Sequence, residues 1–288
     1  MREITMSVSI AHLGPPGTYA ESAALLYSNW LTQHFDQQTI LCPYPSIAQT
    51  IKAVASAQVD LAVVPVENSI EGSVTMTLDT LWQLDSLRIQ RALILPIIHA
   101  FISRAKTIES VQTVYSHPQG LAQCQNWLEK VLPTAQLIPT NSTTEALKYL
   151  DDDLTAGVIS SQRAAQLYDL PVLACPINDH PDNCTRFWVL SLQPPLGGNH
   201  TSLGFSVHDT PGALVKPLQI FAERSINLSK IESRPTKKSL GDYLFFVDLE
   251  ADIREASVQS ALKELTEHTK NLKIFGSYDI LPTQENKG

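Results

Sequence analysis

Cysteine is scarce: four residues in 288, Cys42, Cys124, Cys175 and Cys184. They form neither a C-x-x-C pair nor the dense framework of a small secreted domain, so reduced thiols are expected, with no disulfides and no metal site. Long apolar runs are missing too. The longest, at residues 91–102, is interrupted by Pro96 and His99 and is too short to span a bilayer. The opening MREITMSVSI has no signal-peptide core. These absences predict a cytoplasmic chain. A basic stripe is also lacking: residues 1–200 hold 10 Lys+Arg against 17 Asp+Glu, and 201–280 hold 10 against 11. The net charge of −8 therefore sits mainly in the first part, which argues against nucleic acid and anionic membrane as partners.

What is present is ordinary globular material, 43% hydrophobic and long enough for two domains. Over residues 7–192 short apolar runs alternate with helical periodicity, the pattern of an α/β fold. SVSIAHL, DLAVVPV, VQTVYS, TAGVIS and FWVLSL read as strands; SIAQTIKAVASAQ, PQGLAQCQNWLEKV and TTEALKYL read as helices opened by Ser, Thr or Pro. The Pro/Gly-rich QPPLGGNH, residues 193–200, reads as a linker. Residues 201–280 then repeat strand, helix, strand, strand, helix, strand, a ferredoxin-like βαββαβ order. Its small sheet has edges to be paired, which predicts a homodimer or homotetramer.

Four polar clusters punctuate the strand ends. VVPVENSIEGSV breaks an apolar strand into Glu67, Asn68, Ser69, Glu71 and Ser73, either a capped turn or donors for a ligand oxygen beyond a strand's carboxyl end. GPPGTYAES offers Thr18 and helix-terminal amides to an anion but lacks the Lys of a phosphate loop. In VYSHPQGLAQCQ, Ser116 adjoins His117 without a nucleophile elbow, so Ser116 reads better as a hydrogen-bond donor than as a nucleophile. In NCTRF, strand alternation puts Thr185 and Phe187 on one face and Arg186 on the other, where Arg186 either holds a carboxylate or closes an ion pair. The acidic run 151–153 reads as a solvated helix end, not a metal trap.

Taken in order, GPPGTYAESAA, VPVENSIEGSV, YSHPQGLAQC and NCTRF, followed by a βαββαβ unit with GALV and INLSKIESRP, resemble prephenate dehydratase with a regulatory ACT domain. No chorismate mutase segment precedes the first strand, so the resemblance is to the monofunctional form. It implies a catalytic domain at 7–192 in two lobes, like the type II periplasmic binding proteins, and an ACT domain at 201–280. It also implies conversion of prephenate to phenylpyruvate, water and carbon dioxide without a cofactor, with arogenate as the alternative substrate. Carried over by motif, Thr185, Asn68, Ser116, Gln123 and Glu67 would be catalytic, and Arg186, Phe187, Thr18 and Ser69 would bind substrate. Phenylalanine would be the effector, held by Gly212, Ala213, Leu214, Val215, Asn227, Glu232 and Ser233. A two-domain reading further expects catalysis to survive deletion of everything after Asn199.

Overall fold

The computed structural model describes residues 7–237 and 241–282. Lobe one comprises β1 (Val8–Leu13), α1 (Tyr19–Phe35), β2 (Thr39–Tyr44), α2 (Ile47–Ala55), β3 (Leu61–Asn68), β4 (Gly72–Ser73), α3 (Thr75–Trp82) and β5 (Arg88–Pro96). Its helices start where the sequence supplies caps: Thr18 Oγ1 accepts from Glu21 N at 3.3 Å and Ser46 Oγ from Gln49 N at 3.2 Å. α2 then turns Ile51, Ala53 and Val54 inward, which fixes how it lies on the sheet.

Lobe two comprises β6 (His99–Ile102), β7 (Thr113–Ser116), α4 (Pro118–Ala122), α5 (Gln125–Val131), β8 (Gln136–Pro139), β9 (Ala156–Ser161), α6 (Gln162–Leu167) and β10 (Val172–Ala174). The sheet order is β10-β6-β9-β7-β8. Two expected helices change form. The single helix over 118–131 is broken at Gln123 and Cys124, because Asp179, distant in sequence, accepts from Asn126 N (2.9 Å) and Trp127 N (3.1 Å) and so starts a new helix there. The 143–150 segment is a 3-10 turn over Glu145–Leu150.

The chain crosses between the lobes twice, after β5 and again before β11 (Cys184–Ser191), which returns to lobe one between β5 and β3. Backbone and amide bonds stitch the two crossings: Ile97 N to Asn183 O at 2.8 Å, Asn178 Nδ2 to Ile97 O at 2.8 Å, His99 N to Asn178 Oδ1 at 2.7 Å.

The C-terminal unit runs β12 (His200–Ser206), α7 (Val215–Ala222), β13 (Leu228–Pro235), β14 (Tyr243–Leu249), α8 (Ala256–Glu267) and β15 (Asn271–Leu281), with strand order β13-β14-β12-β15 as the βαββαβ pattern predicts. One of its two expected free edges is not free. Residues 279–281 of β15 pair in parallel with residues 91–93 of β5, making one ten-stranded sheet across both domains. Leu244, Phe246, Phe275 and Tyr278 share a core with Trp188, Leu81, Leu87 and Ile89. Deletion after Asn199 would therefore remove part of the first domain's own core, so the remainder is not a self-contained catalytic unit.

Candidate active site

β3 and β11 are antiparallel neighbours with Asn68 opposite Thr185 and Glu67 opposite Arg186. On the side turned toward lobe two, where the cleft between the lobes lies, Asn68 Nδ2 donates to Thr185 Oγ1 (2.9 Å), Asn183 Oδ1 (2.9 Å) and Cys184 O (3.2 Å). Asn68 Oδ1 accepts from the backbone N–H groups of Ile70 and Glu71, both at 3.0 Å. The network continues at Gln123 Oε1, which accepts from Asn183 Nδ2 (2.9 Å) and lies 2.9 Å from His99 Nε2. His99 Nδ1 lies 3.0 Å from the Tyr19 hydroxyl on α1. Thr185, Gln123, His99 and Asn183 are 8%, 6%, 3% and 2% exposed, so these groups bond one another where water has little access. Burial lowers the pKa of His99 despite its bond to Gln123, keeping the ring neutral at pH 7, and burial drives that of the Tyr19 hydroxyl well up.

Chemically the cluster is a set of neutral donors. Thr185 Oγ1 accepts from Asn68 and has no acceptor for its own hydrogen among the described residues, which leaves that hydrogen for a bound molecule. At the rim, Glu71 of lobe one acts on His117 of lobe two; burial nevertheless prevails and lowers the pKa of that ring.

The remaining expected site residues lie elsewhere. Ser116 is fully buried and spends its hydrogen on Ile159 O at 2.7 Å, beneath Gly120, so it shapes the start of α4 instead of orienting substrate. Thr18 is occupied as the α1 cap and donates to Leu13 O at 3.1 Å. Phe187 is buried in the core under α1. Ser69 is exposed, and its Oγ accepts from Cys184 N at 3.0 Å, pinning the start of β11.

Glu67 and Arg186 face the opposite side of the sheet, as strand alternation requires. Arg186 pairs with Glu67 and, at 2.7 Å, with Asp248 on β14, while Lys230 on β13 lies 3.5 Å from Glu67. Arg186 is thus an interdomain ion pair and not a cleft residue, and Glu67 is its partner. Burial works against the Arg186 charge, but Asp248, the nearby Tyr278 ring and Glu67 more than offset it and raise its pKa. For Lys230 the same burial prevails and lowers the pKa.

The effector candidates divide between the two faces of the C-terminal sheet. Lys230, Glu232 and Arg234 on β13 stand opposite Asp248, Phe246 and Leu244 and face the first domain, where Glu232 accepts from Ser73 Oγ at 3.2 Å and Arg234 pairs with Asp79 at 3.0 Å. Ser233 lies on the helix-covered face with the turn that precedes α7. That turn holds Gly212 at φ 80° and leaves Val215 exposed, while Leu214 packs on the domain core. The helix starts at Val215, so Gly212 and Ala213 precede it instead of opening it. Asn227 donates to Glu250 at 2.7 Å. Glu232 is therefore not brought to the Gly212 turn within one chain.

The residues that the sequence motifs did not single out are Asn183, His99 and Tyr19. Asn183 opens the NCTRF motif and Tyr19 lies within the GPPGTYAES cluster, while His99 sits in an apolar run that gives no local signal.

The family model described as prephenate dehydratase matches residues 10–195, and the ACT domain model matches residues 201–267. The chain is 43% identical over 280 residues to the bifunctional chorismate mutase/prephenate dehydratase of Aquifex aeolicus (strain VF5), covering 96% of this chain and 75% of that relative. It superposes on the prephenate dehydratase of Arthrobacter aurescens in complex with L-Phe with a TM-score of 0.84 at 33% identity, over 94% of this chain and 90% of the other. A second structure, GqqA, described as a novel type of quorum quenching acylase, gives a TM-score of 0.80 at 26% identity, over 96% and 100% of the two chains.

Proposed function

The chain belongs to the prephenate dehydratase family, and from that premise we propose that it converts prephenate to phenylpyruvate through Thr185, with Asn68 and Gln123 orienting the substrate. The observation that carries the assignment is the bond from Asn68 Nδ2 to Thr185 Oγ1, which turns the Thr185 hydrogen outward. The ring C–O bond breaks with its electron pair passing to oxygen; Thr185 donates its proton and water leaves. The C–C bond to the ring carboxylate breaks at the same time, its electrons complete the aromatic ring, and carbon dioxide departs. Asn68 N–H steadies the oxygen that Thr185 retains, and solvent returns its proton. Aromatisation drives the step, so the protein's task is proton assistance and orientation.

Phenylalanine is the proposed effector, a reading supported by the ACT match and by the L-Phe complex of the Arthrobacter protein. Because Glu232 and the Gly212 turn lie on different faces, a complete effector site is proposed to need a second copy of the chain. The exposed outer strand β13, with Ile231 at its surface, supports dimerisation there. A hydrolytic reading, suggested by the acylase neighbour, is less well supported. It needs a nucleophile beside a base, whereas Thr185 meets an amide donor and Ser116 is buried and already bonded.

The test is a parallel assay on prephenate and arogenate, with a chelator present. Phenylpyruvate should form from prephenate, and added phenylalanine should slow it. Activity confined to arogenate, or abolished by the chelator, would overturn the proposal.

A further inference from the structure

Resting on the reading of Thr185, Asn68 and Gln123 as the groups that meet substrate, we infer that His99, paired with Tyr19, is a positioning residue that dictates which end of the Gln123 amide faces the cleft. The direction of every bond in the network follows from one fixed point. Backbone N–H groups can only donate, so the atom that Asn68 presents to Ile70 N and Glu71 N is its oxygen. Asn68 Nδ2 then faces Asn183 and Thr185, and the atom of Asn183 that receives it is Oδ1. Asn183 Nδ2 must in turn donate to Gln123, which places Gln123 Oε1 between Asn183 and His99. An amide oxygen cannot donate, so the proton of the neutral imidazole sits on Nε2. The bare Nδ1 faces the Tyr19 hydroxyl at 3.0 Å, whose single hydrogen is shared between Nδ1 and Ile98 O, at 2.9 Å.

The consequence reaches the cleft. With Oε1 turned inward by two donors, Gln123 Nε2 keeps both hydrogens and has no acceptor among the described residues. A substrate carrying two carboxylates meets a donor there. If His99 carried its proton on Nδ1, its bare Nε2 would repel Oε1 and favour the reversed amide, setting an oxygen against a carboxylate. Asn183 alone would then oppose the reversal, and His99 and Asn183 are too deeply buried for water to take their place. Tyr19 belongs to lobe one and His99 begins the first strand of lobe two, so the contacts of the Tyr19 hydroxyl with His99 and Ile98 also join the two lobes beside that donor.

The first measurement uses the full-length protein labelled with ¹⁵N-histidine, the His99 signals being assigned by their loss in His99→Gln. Nitrogen shifts should report the Nε2–H tautomer at neutral pH; a predominant Nδ1–H form would overturn the inference. The second compares turnover of prephenate. His99→Phe should lower kcat about 10- to 100-fold with a smaller change in KM, the usual size of a misplaced orienting group. His99→Gln, whose amide N–H takes over the place of Nε2–H, should recover to within about fivefold of the parent. Normal kcat in His99→Phe, or equal loss in two variants that both fold, would reduce His99 to a packing residue and sink the proposal. If the parent itself fails to turn over prephenate, the functional reading fails, while the tautomer measurement still decides the direction of the network.

Discussion

The two faces of β3 and β11 carry opposite chemistry with one residue of separation. Asn68 and Thr185 point into the cleft and join a chain of neutral amides, an imidazole and two hydroxyls; Glu67 and Arg186 point the other way into ion pairs with the C-terminal domain. The difference teaches how an acidic protein can handle an anionic substrate. Under the proposed function, oriented dipoles act on the cleft side, where fixed hydrogens would meet the ligand without a counter-ion. Full charges are kept on the side where they can be paired, and there they lock one domain to the other. Because strands alternate, each site residue is mechanically joined to an interdomain residue through a single peptide unit. A shift of β13 or β14 against lobe one therefore has a short route to Asn68 and Thr185.

The comparison breaks most severely if the charged face is removed altogether. Deleting residues 200–288 uncovers Trp188, Leu87 and Ile89 and opens the edge of β5. The expected product has no cooperative thermal transition and no turnover; a truncated protein that melts cooperatively and reacts would show the shared core to be dispensable. On the cleft face, Thr185→Ala should lose about 10² to 10⁴ in kcat with an unchanged melting temperature, and Thr185→Ser should retain appreciable turnover because the hydroxyl survives. Near-normal kcat in Thr185→Ala would make Thr185 a strand residue only.

Arg186→Met sharpens the contrast, since it should act first on stability. It leaves Asp248, with a side chain 4% exposed, without its cation. Removing one member of a buried pair costs about 3–5 kcal/mol, and the lower end applies because Glu67 is a third exposed. Denaturant midpoints should read this loss, and a midpoint equal to the parent's would show the pair to be worth nothing. The smallest effect is that of Asp79. Burial would raise the pKa of its carboxyl, but Arg234 and Lys237 more than offset this and hold it below the usual range. A depressed folded-state pKa contributes stability above the unfolded value of about 4, lost as pH falls through the folded value. The stability gap between parent and Asp79→Asn, at most about 1 kcal/mol for so exposed a partner as Lys237, should close as pH falls below the unfolded value and through the lowered folded one. A gap that widens on acidification would contradict the sign.

Much of the fold was legible because its signals are local. The cap at Ser46, the apolar strand run along 61–66 and the βαββαβ order from residue 201 all depend on neighbours within a few positions. Asn68 and Thr185 were legible as polar breaks at strand ends. Ser116 and Thr18 misled for a related reason: a hydroxyl beside a helix start looks the same whether its partner is a ligand or a backbone group. The split of α4 from α5 was hidden because the cap that causes it, Asp179, comes from 53 residues away in the chain.

By itself the sequence determined which residues alternate, where helices start, and hence that Thr185 and Arg186 could never share a face. Periodicity of the backbone suffices for that. Only the tertiary structure decided which face became the cleft. It took β5 and β15 pairing across the domains, Asp248 and Lys230 arriving opposite Arg186 and Glu67, and His99 and Tyr19 meeting from different lobes. Those contacts join residues roughly 60 to 190 positions apart, and a hydrogen-bond direction or an ion pair exists only once both partners are in place.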